Sequence, residues 1–364
     1  MKPNIWIFPI EPIETRYTAQ WYDHIPRLLN DTVSDLYNIR TIDGVQKNSQ
    51  VTEGAFLNFS DTNYWKSSQL CKFLEKLNTN QVTTNDHIVI TDAWNPIVIQ
   101  LKYMKELLGY KWKLHGFWHA GSYDKNDFLG RLIGNKPWVR NAERSMFDSF
   151  DHNYFATEYH IRMFEKVLFG YDTSSGIYQN NKVIRTGWPM EYMESLLSGY
   201  DTTNKTNTII FPHRIAPEKQ LSIFLDLKEQ LPEYEFIVCQ DHTLTKYEYH
   251  KLLARSKIVF SANLQETLGI SSCIEGPLLD ALPLVPNRLS YTEIFDNHQE
   301  FMYNTDYTIN TLGYQTNKKH LVEKIKDMIQ NYDSYLQPLN SFKKHSFDTY
   351  FTAQNFIHTL RQLP

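Results

Sequence analysis

Short runs of β-branched and aromatic residues alternate along the chain with longer stretches in which apolar residues recur every three or four positions. That alternation predicts parallel sheets built from βαβ units. It occurs twice. In the first half, strands are predicted at residues 5–10, 87–91, 112–117, 153–156 and 182–186, with helices at 68–77 and 97–108. A polar stretch at 198–207, SGYDTTNKTN, has the composition of a linker. Beyond it, strands are predicted at 208–212, 235–239, 257–260 and 284–286, and helices at 219–230, 247–254 and 271–279. The tail at 346–361 is helical in pattern. The fold class that follows is α/β, with two Rossmann-like doubly wound domains at 1–197 and 208–345, a linker at 198–207, and a C-terminal helix within 346–364 packing back on the first domain.

Length agrees, since 364 residues exceed one ordinary core and suit two. With 41% hydrophobic residues and no apolar run near the ~18–20 needed to span a bilayer, a cytoplasmic protein without membrane contact is expected. Residues 1–10 carry one Lys and two prolines, which suits a first strand better than a signal peptide. Cys71, Cys239 and Cys273 lie far apart and match no zinc or disulfide spacing. No metal is expected. A net charge of −4 argues against a strongly basic nucleic-acid binder but leaves room for a local patch.

Two doubly wound domains suit a transferase, a reductase or an ATP-dependent ligase, so motifs must decide. Neither GxGxxG nor GxxxxGK[ST] occurs. The segment IIFPHRIAPEKQLSIF at 209–224 places Arg214 and Lys219 between a strand end and a helix start, where backbone amides favour an anion such as a pyrophosphate. A solvated charged loop is the alternative. In SANLQETLGISSCIEG, residues 261–276, Glu266 follows a strand, Gly269 and Ile270 open a helix, and Glu275 lies within it. Carboxylates there would face hydroxyls rather than phosphates, unless Glu266 only caps the helix and Glu275 lies on the surface. In the first half, KLHGFWHAGSY at 113–123 puts Trp118 and His119 at a strand end. Between Lys105 and Met146 there are eight Lys or Arg against four Asp or Glu. Arg131, Lys136, Arg140 and Arg144 are interleaved there with Trp138, a pattern that suits phosphate contacts plus a stacking platform, or a solvated helix face.

The two C-terminal segments resemble the retaining family 4 glycosyltransferases, of GT-B architecture. FPHR, PEK and PNRLSYTEIF are similar to the branch of mannosyltransferases acting on queuosine in tRNA and of phage-encoded enzymes that glycosylate hydroxymethylated bases in DNA. The resemblance implies that Arg214 and Lys219 bind the donor diphosphate, that Glu266 contacts the donor sugar with Gly269 and Ile270 beside it, and that Glu275 contacts the ribose. The family has seven residues between its two glutamates; eight stand here. It also implies that His119 lies beside the acceptor, and that residues 9–16 replace a glycine-rich first loop, with Thr15 and Arg16 left to contact the donor. The resemblance is specific over residues 205–303 and weak before 110.

The expectation is a metal-independent enzyme with no cofactor beyond its nucleotide-sugar co-substrate, UDP-linked, and with a nucleic-acid acceptor. DNA 5-hydroxymethylcytosine in the host cytoplasm of a phage is placed first, with His119, Glu266, Arg214 and Lys219 catalytic. Trp118, His119, Arg131, Lys136, Trp138, Arg140 and Arg144 would bind the acceptor. A tRNA-queuosine mannosyltransferase and a polysaccharide or lipid-linked glycosyltransferase are the alternatives. A sugar-nucleotide epimerase and a non-catalytic binding module rank below them.

Overall fold

In the computed structural model, residues 2–14, 16–47, 49–50, 58–170 and 182–363 are described. The chain divides into two compact units, Met1–Pro189 with Ala353–Pro364, and Met190–Thr352.

The first unit runs β1 (Asn4–Phe8), α1 (Tyr17–Val33), β2 (Asn38–Thr41), α2 (Phe59–Asn78), β3 (His87–Ile90), α3 (Ile97–Leu107), β4 (Lys113–Trp118), α4 (Phe128–Ile133), α5 (Pro137–Ser149), β5 (His152–Phe155), α6 (Glu158–Phe169) and β6 (Val183–Arg185). Its six strands are all parallel, in the order β2-β1-β3-β4-β5-β6. Helical crossovers cover both faces of such a sheet, which is why NIWIF of β1 and HIVI of β3 are buried at every position. Trp6, Phe8, Phe73, Trp112, Trp118 and Phe147 make the core. Asp86, fully buried, ties the start of β1 to β3 by accepting from the Asn4 backbone N–H at 2.9 Å and the Trp6 indole at 2.7 Å.

One row across this sheet is polar. His87, His115 and His152 stand side by side on β3, β4 and β5, with ring centroids 5.2 and 5.0 Å apart. Nδ1 of His87 meets Nε2 of His115 at 3.0 Å, and Nδ1 of His115 meets the Tyr154 hydroxyl at 2.8 Å. Burial holds His87 down to about 4 and His115 well below its ordinary value, so both rings are neutral inside the fold. Because the unfolded chain takes up these protons near pH ~6.5 and the folded one does not, stability is full above that pH and falls as pH drops toward about 4. For His87 alone the loss is on the order of 3 kcal/mol. Melting temperature is therefore expected to fall steadily between pH 7 and 5, and a flat profile over that window would contradict this account of the histidine row.

The second unit continues with α7 (Tyr192–Leu197), β7 (Thr206–Phe211), α8 (Leu221–Gln230), β8 (Glu235–Val238), α9 (Lys246–Arg255), β9 (Ser256–Phe260), α10 (Gly276–Leu278), β10 (Leu282–Pro286), α11 (Tyr291–Ile294), β11 (Met302–Tyr303), α12 (Thr311–Gln330) and α13 (Tyr332–Tyr350). Its parallel sheet is ordered β11-β10-β9-β7-β8. The last helix, α14 (Gln354–Arg361), returns to the first unit. The sequence pattern suggested one helix over 346–361; the structure instead ends α13 at Tyr350 and begins α14 at Gln354, with buried Phe351 and Ala353 where the chain passes between units. The passages fall at Pro189/Met190 and Thr352/Ala353, whereas the pattern placed them at 198–207 and near 346. No helix among the described residues is long and apolar enough to cross a membrane.

Candidate functional site

In the second unit the chain leaves β7 to one side toward β8 and to the other toward β9, so the strand order reverses between β7 and β9. Loops at the carboxyl ends of such a strand pair diverge and leave a crevice. The residues singled out from sequence fall on those two loops. After Phe211, Pro212 to Ala216 lead into a 3-10 turn, Pro217–Lys219. After Phe260, residues 261–270 lead into a π-helical turn, Ser271–Glu275.

Lys219 is 6% exposed, and its ammonium donates to the Gln265 carbonyl at 2.7 Å and lies 3.4 Å from Glu266 Oε2, 47 residues away in sequence. The Leu264 backbone N–H donates to the Glu218 carbonyl at 2.8 Å, closing one loop on the other. Arg214 is held by Glu218, itself 3% exposed, at 2.5 Å. This is a buried, ordered charge cluster and not the solvated loop that was the alternative. The helix predicted from 219 begins at Leu221, because Gln220 turns left-handed at φ +55. Its side-chain amide donates to the carbonyls of Ala262, at 2.5 Å, and Thr308, at 2.7 Å, which offsets the backbone strain. Burial pushes the Glu266 carboxyl up, but Lys219 and the backbone N–H groups of Leu268 and Gly269 outweigh it and hold it below the usual carboxylate range. An ionised acceptor thus sits beside the fixed Lys219 cation.

Gly269 has φ +77, and a Cβ there would stand 2.8 Å from the Tyr291 ring, so both conformation and space require glycine. Ile270 precedes the π turn, half-buried. The Gly276 backbone N–H closes a π step on the Ser271 carbonyl, and Glu275 is the last residue of that turn. Glu275 is 2% exposed and bound by Lys246 at 2.8 Å, the Tyr249 hydroxyl at 3.1 Å and His250 Nε2 at 3.3 Å. Despite the upward push of burial, Lys246 and His250 hold its carboxyl far below the usual range. It is not the surface residue that the alternative reading allowed, and its bonds in this structure are to protein. Sequence reasoning missed Glu218, Gln220 and Arg288. Arg288 clamps the β9 loop by donating to the Ala262 and Asn263 carbonyls, each at 2.7 Å, and to Thr305; its place in PNRLSYTEIF was the available signal.

In the first unit one placement requires a correction. Trp118 is wholly buried in the core, its indole donating to Asn153 at 2.8 Å, so it offers no surface to an acceptor. His119 does end β4, but both ring nitrogens are engaged, Nε2 with the Thr91 carbonyl at 2.5 Å and Nδ1 with the Tyr17 hydroxyl at 2.5 Å. Packed against Trp21 and Trp188 at 5.3 and 4.8 Å, and with its pKa lowered by burial, the ring is neutral and braces the strand end, with its Nε2–H on the Thr91 carbonyl and its Nδ1 lone pair facing the Tyr17 hydroxyl. Arg16 stands directly before α1, where an anion is favoured; Thr15 lies outside the described residues. Trp138, 57% exposed, lies on α5 just after exposed Lys136, and Arg131 is exposed on α4. Arg140 is turned onto Glu143 and Ser122, at 3.3 and 3.1 Å, and Arg144 Nε donates to the Leu168 carbonyl at 2.5 Å. Among the described residues no group of three or more His, Cys, Asp or Glu is arranged to hold a metal ion.

No protein-family profile and no curated protein sequence matches the chain. Solved structures do. The sucrose-phosphate synthase of Thermosynechococcus elongatus superposes on 100% of this chain and 98% of its own with a TM-score of 0.60 at 9% identity. Anabaena Alr3699/HepE in complex with UDP and glucose covers 99% of this chain and 98% of its own, with a TM-score of 0.56 at 10% identity. An alpha-glucosyltransferase in complex with UDP and a 13-mer DNA containing an HMU base covers 100% of both chains, with a TM-score of 0.55 at 11% identity. At such identities the likeness is one of fold, and the fold of this chain is the pair of parallel-sheet, Rossmann-like α/β domains of the GT-B glycosyltransferases.

Proposed function

We propose that the chain is a nucleotide-sugar-dependent glycosyltransferase that moves a sugar from a UDP-linked donor to a hydroxyl on a modified nucleic-acid base, with 5-hydroxymethylcytosine in DNA the first candidate. The observation that carries the donor half is the pairing of buried Lys219 with half-buried Glu266, beside Arg214 and its partner Glu218, at the β7/β9 crevice. Arg214 and Lys219 stabilise the charge that grows on the diphosphate as the anomeric C–O bond breaks and its electrons pass to the leaving oxygen. The acceptor hydroxyl then attacks from the same face, its proton passing to the departing diphosphate oxygen, and the configuration is retained. Glu266 receives sugar hydroxyls. No metal ion takes part, and the reaction has no cofactor besides the nucleotide-sugar.

The acceptor half rests on Trp138, Lys136 and Arg131, exposed on α4 and α5. A neighbour in fold binds DNA carrying a hydroxymethylated base, which favours DNA. Incubation with UDP- and GDP-sugars and DNA containing hydroxymethylcytosine or hydroxymethyluracil, with unmodified DNA and tRNA as controls, is read by nucleoside mass spectrometry. Sugar appearing on tRNA alone would move the acceptor to queuosine; sugar on none of these would sink the nucleic-acid reading. Charge reversal of Lys136 and Arg131 together is expected to weaken DNA binding across all sequences and flatten its salt dependence. Trp138→Ala should instead cost ~1–3 kcal/mol in binding of an extruded or single-stranded base. Arg140 and Arg144 are poorer test positions, because their removal unseats Glu143 and the end of α6.

A further inference from the structure

His213 lies between the β7 end and Arg214, and nothing above uses it. It is 9% exposed, its ring set edge-on to Phe211 at 5.0 Å, and its Nε2 is buried without a partner. The Phe260 carbonyl accepts a hydrogen bond from the ring, while burial and Lys219 together push its pKa down to about 3, so the ring is neutral. With the ring proton spent on that carbonyl, Nε2 is left as a lone pair. A second acceptor nearby is in the same condition. Asn263 is wholly buried on the facing loop, its amide nitrogen oriented by Glu266 Oε2 at 3.3 Å and the Tyr291 hydroxyl at 3.2 Å, which leaves its Oδ1 buried and partnerless. Buried acceptors left unpaired are costly and rarely accidental in pairs.

We infer that His213 Nε2 and Asn263 Oδ1 form, with Glu266, the face that accepts hydroxyls of the sugar carried on the donor diphosphate. The inference rests on the donor reading above and deepens it: Lys219 and Arg214 meet the phosphates, whereas these three acceptors meet O–H groups. His213 is a binding residue that discriminates nucleotide-sugar from nucleotide.

Calorimetric titration of wild type and His213→Phe with UDP, UDP-glucose, GDP and GDP-mannose tests it, each variant checked by thermal melting. The Phe variant is expected to bind the free nucleotide within about twofold of wild type and the nucleotide-sugar ~10-fold more weakly, the loss of one well-placed hydrogen bond. Its melting temperature should stay near wild type, since an unpaired buried atom is removed while the bond to the Phe260 carbonyl is lost. His213→Gln, whose amide oxygen can stand at the Nε2 position, should keep the wild-type preference within about threefold and serves if the Phe variant does not fold. Unchanged nucleotide-sugar affinity in His213→Phe overturns the inference and leaves the donor reading intact. Equal weakening of nucleotide and nucleotide-sugar does the same, as does a preference lost in His213→Gln. If wild type binds none of the four ligands, the donor reading fails and this inference falls with it.

Discussion

Lys219→Ala is expected to lower sugar transfer by ~10²–10³, the cost of removing one fixed charge from a developing anion. The side chain is nearly enclosed and its ammonium is positioned by the Gln265 carbonyl and Glu266, so the charge is oriented before any donor arrives. Reorganisation is thus already complete, which is what makes such a charge effective. Lys219→Arg should not restore the rate, because the planar, longer guanidinium cannot occupy the same point. Removing the ammonium also leaves Glu266 charged and enclosed, so a stability loss of about 3 kcal/mol is expected alongside. Lys219→Met with Glu266→Gln separates the two effects: that double variant should melt near wild type and remain inactive. Arg214→Ala should show a rate loss of the same order. Near-wild-type turnover in both Lys219→Ala and Arg214→Ala would reject the donor assignment.

The two glutamates are expected to respond differently. Glu266→Gln should reduce turnover by ~10² while UDP binds as before, because the sugar contact is gone from the product. Glu275→Gln should weaken UDP itself if the ribose lies against it. It should also cost about 2 kcal/mol of stability, less than a fully enclosed pair because Lys246 remains 25% exposed. Its pH signature follows from the depressed carboxyl pKa. The stabilisation from Glu275 is present above the unfolded value near ~4.3 and is lost as pH falls below it. Glu275→Gln should therefore blunt the acid sensitivity of melting below pH ~4.3 relative to wild type. UDP affinity equal to wild type would mean that the π turn has given this glutamate wholly to Lys246, Tyr249 and His250.

What was legible in the sequence was whatever local pattern carries. The buried strands around β3 and β9 announce themselves as unbroken apolar runs, and Arg214 and Lys219 were found because they follow such a run. The eight residues between Glu266 and Glu275 could be counted in the sequence, but not the π turn at Ser271–Glu275. β2 and β11 were missed because four half-polar residues and two residues leave no periodicity to detect. Glu218 was missed because a glutamate between Pro217 and Lys219 looks like solvent-facing surface, and only the folded β9 loop buries it. The partners of His119 were illegible for a related reason: Thr91 and Tyr17, which engage its nitrogens, stand 28 and 102 residues away. Trp118 ends a strand of nearly continuous burial, so its enclosure was foreseeable from β4 itself.

The return of α14 makes the first unit discontinuous in the chain. Phe356 packs on Phe117 and Tyr154 at 5.0 and 5.2 Å, and the Tyr37 hydroxyl donates to the Leu360 carbonyl at 2.9 Å. Asn355 donates to the Arg185 carbonyl at 2.9 Å beside β6. On a ribosome, therefore, the half of the protein synthesised first is finished last. Its sheet must wait, with Phe117 and Tyr154 uncovered, until the whole second unit has emerged and delivered the closing helix. A stop codon at position 353 would damage the amino-terminal unit more than the unit it follows, and the segment 1–189 expressed alone would lack part of its own core.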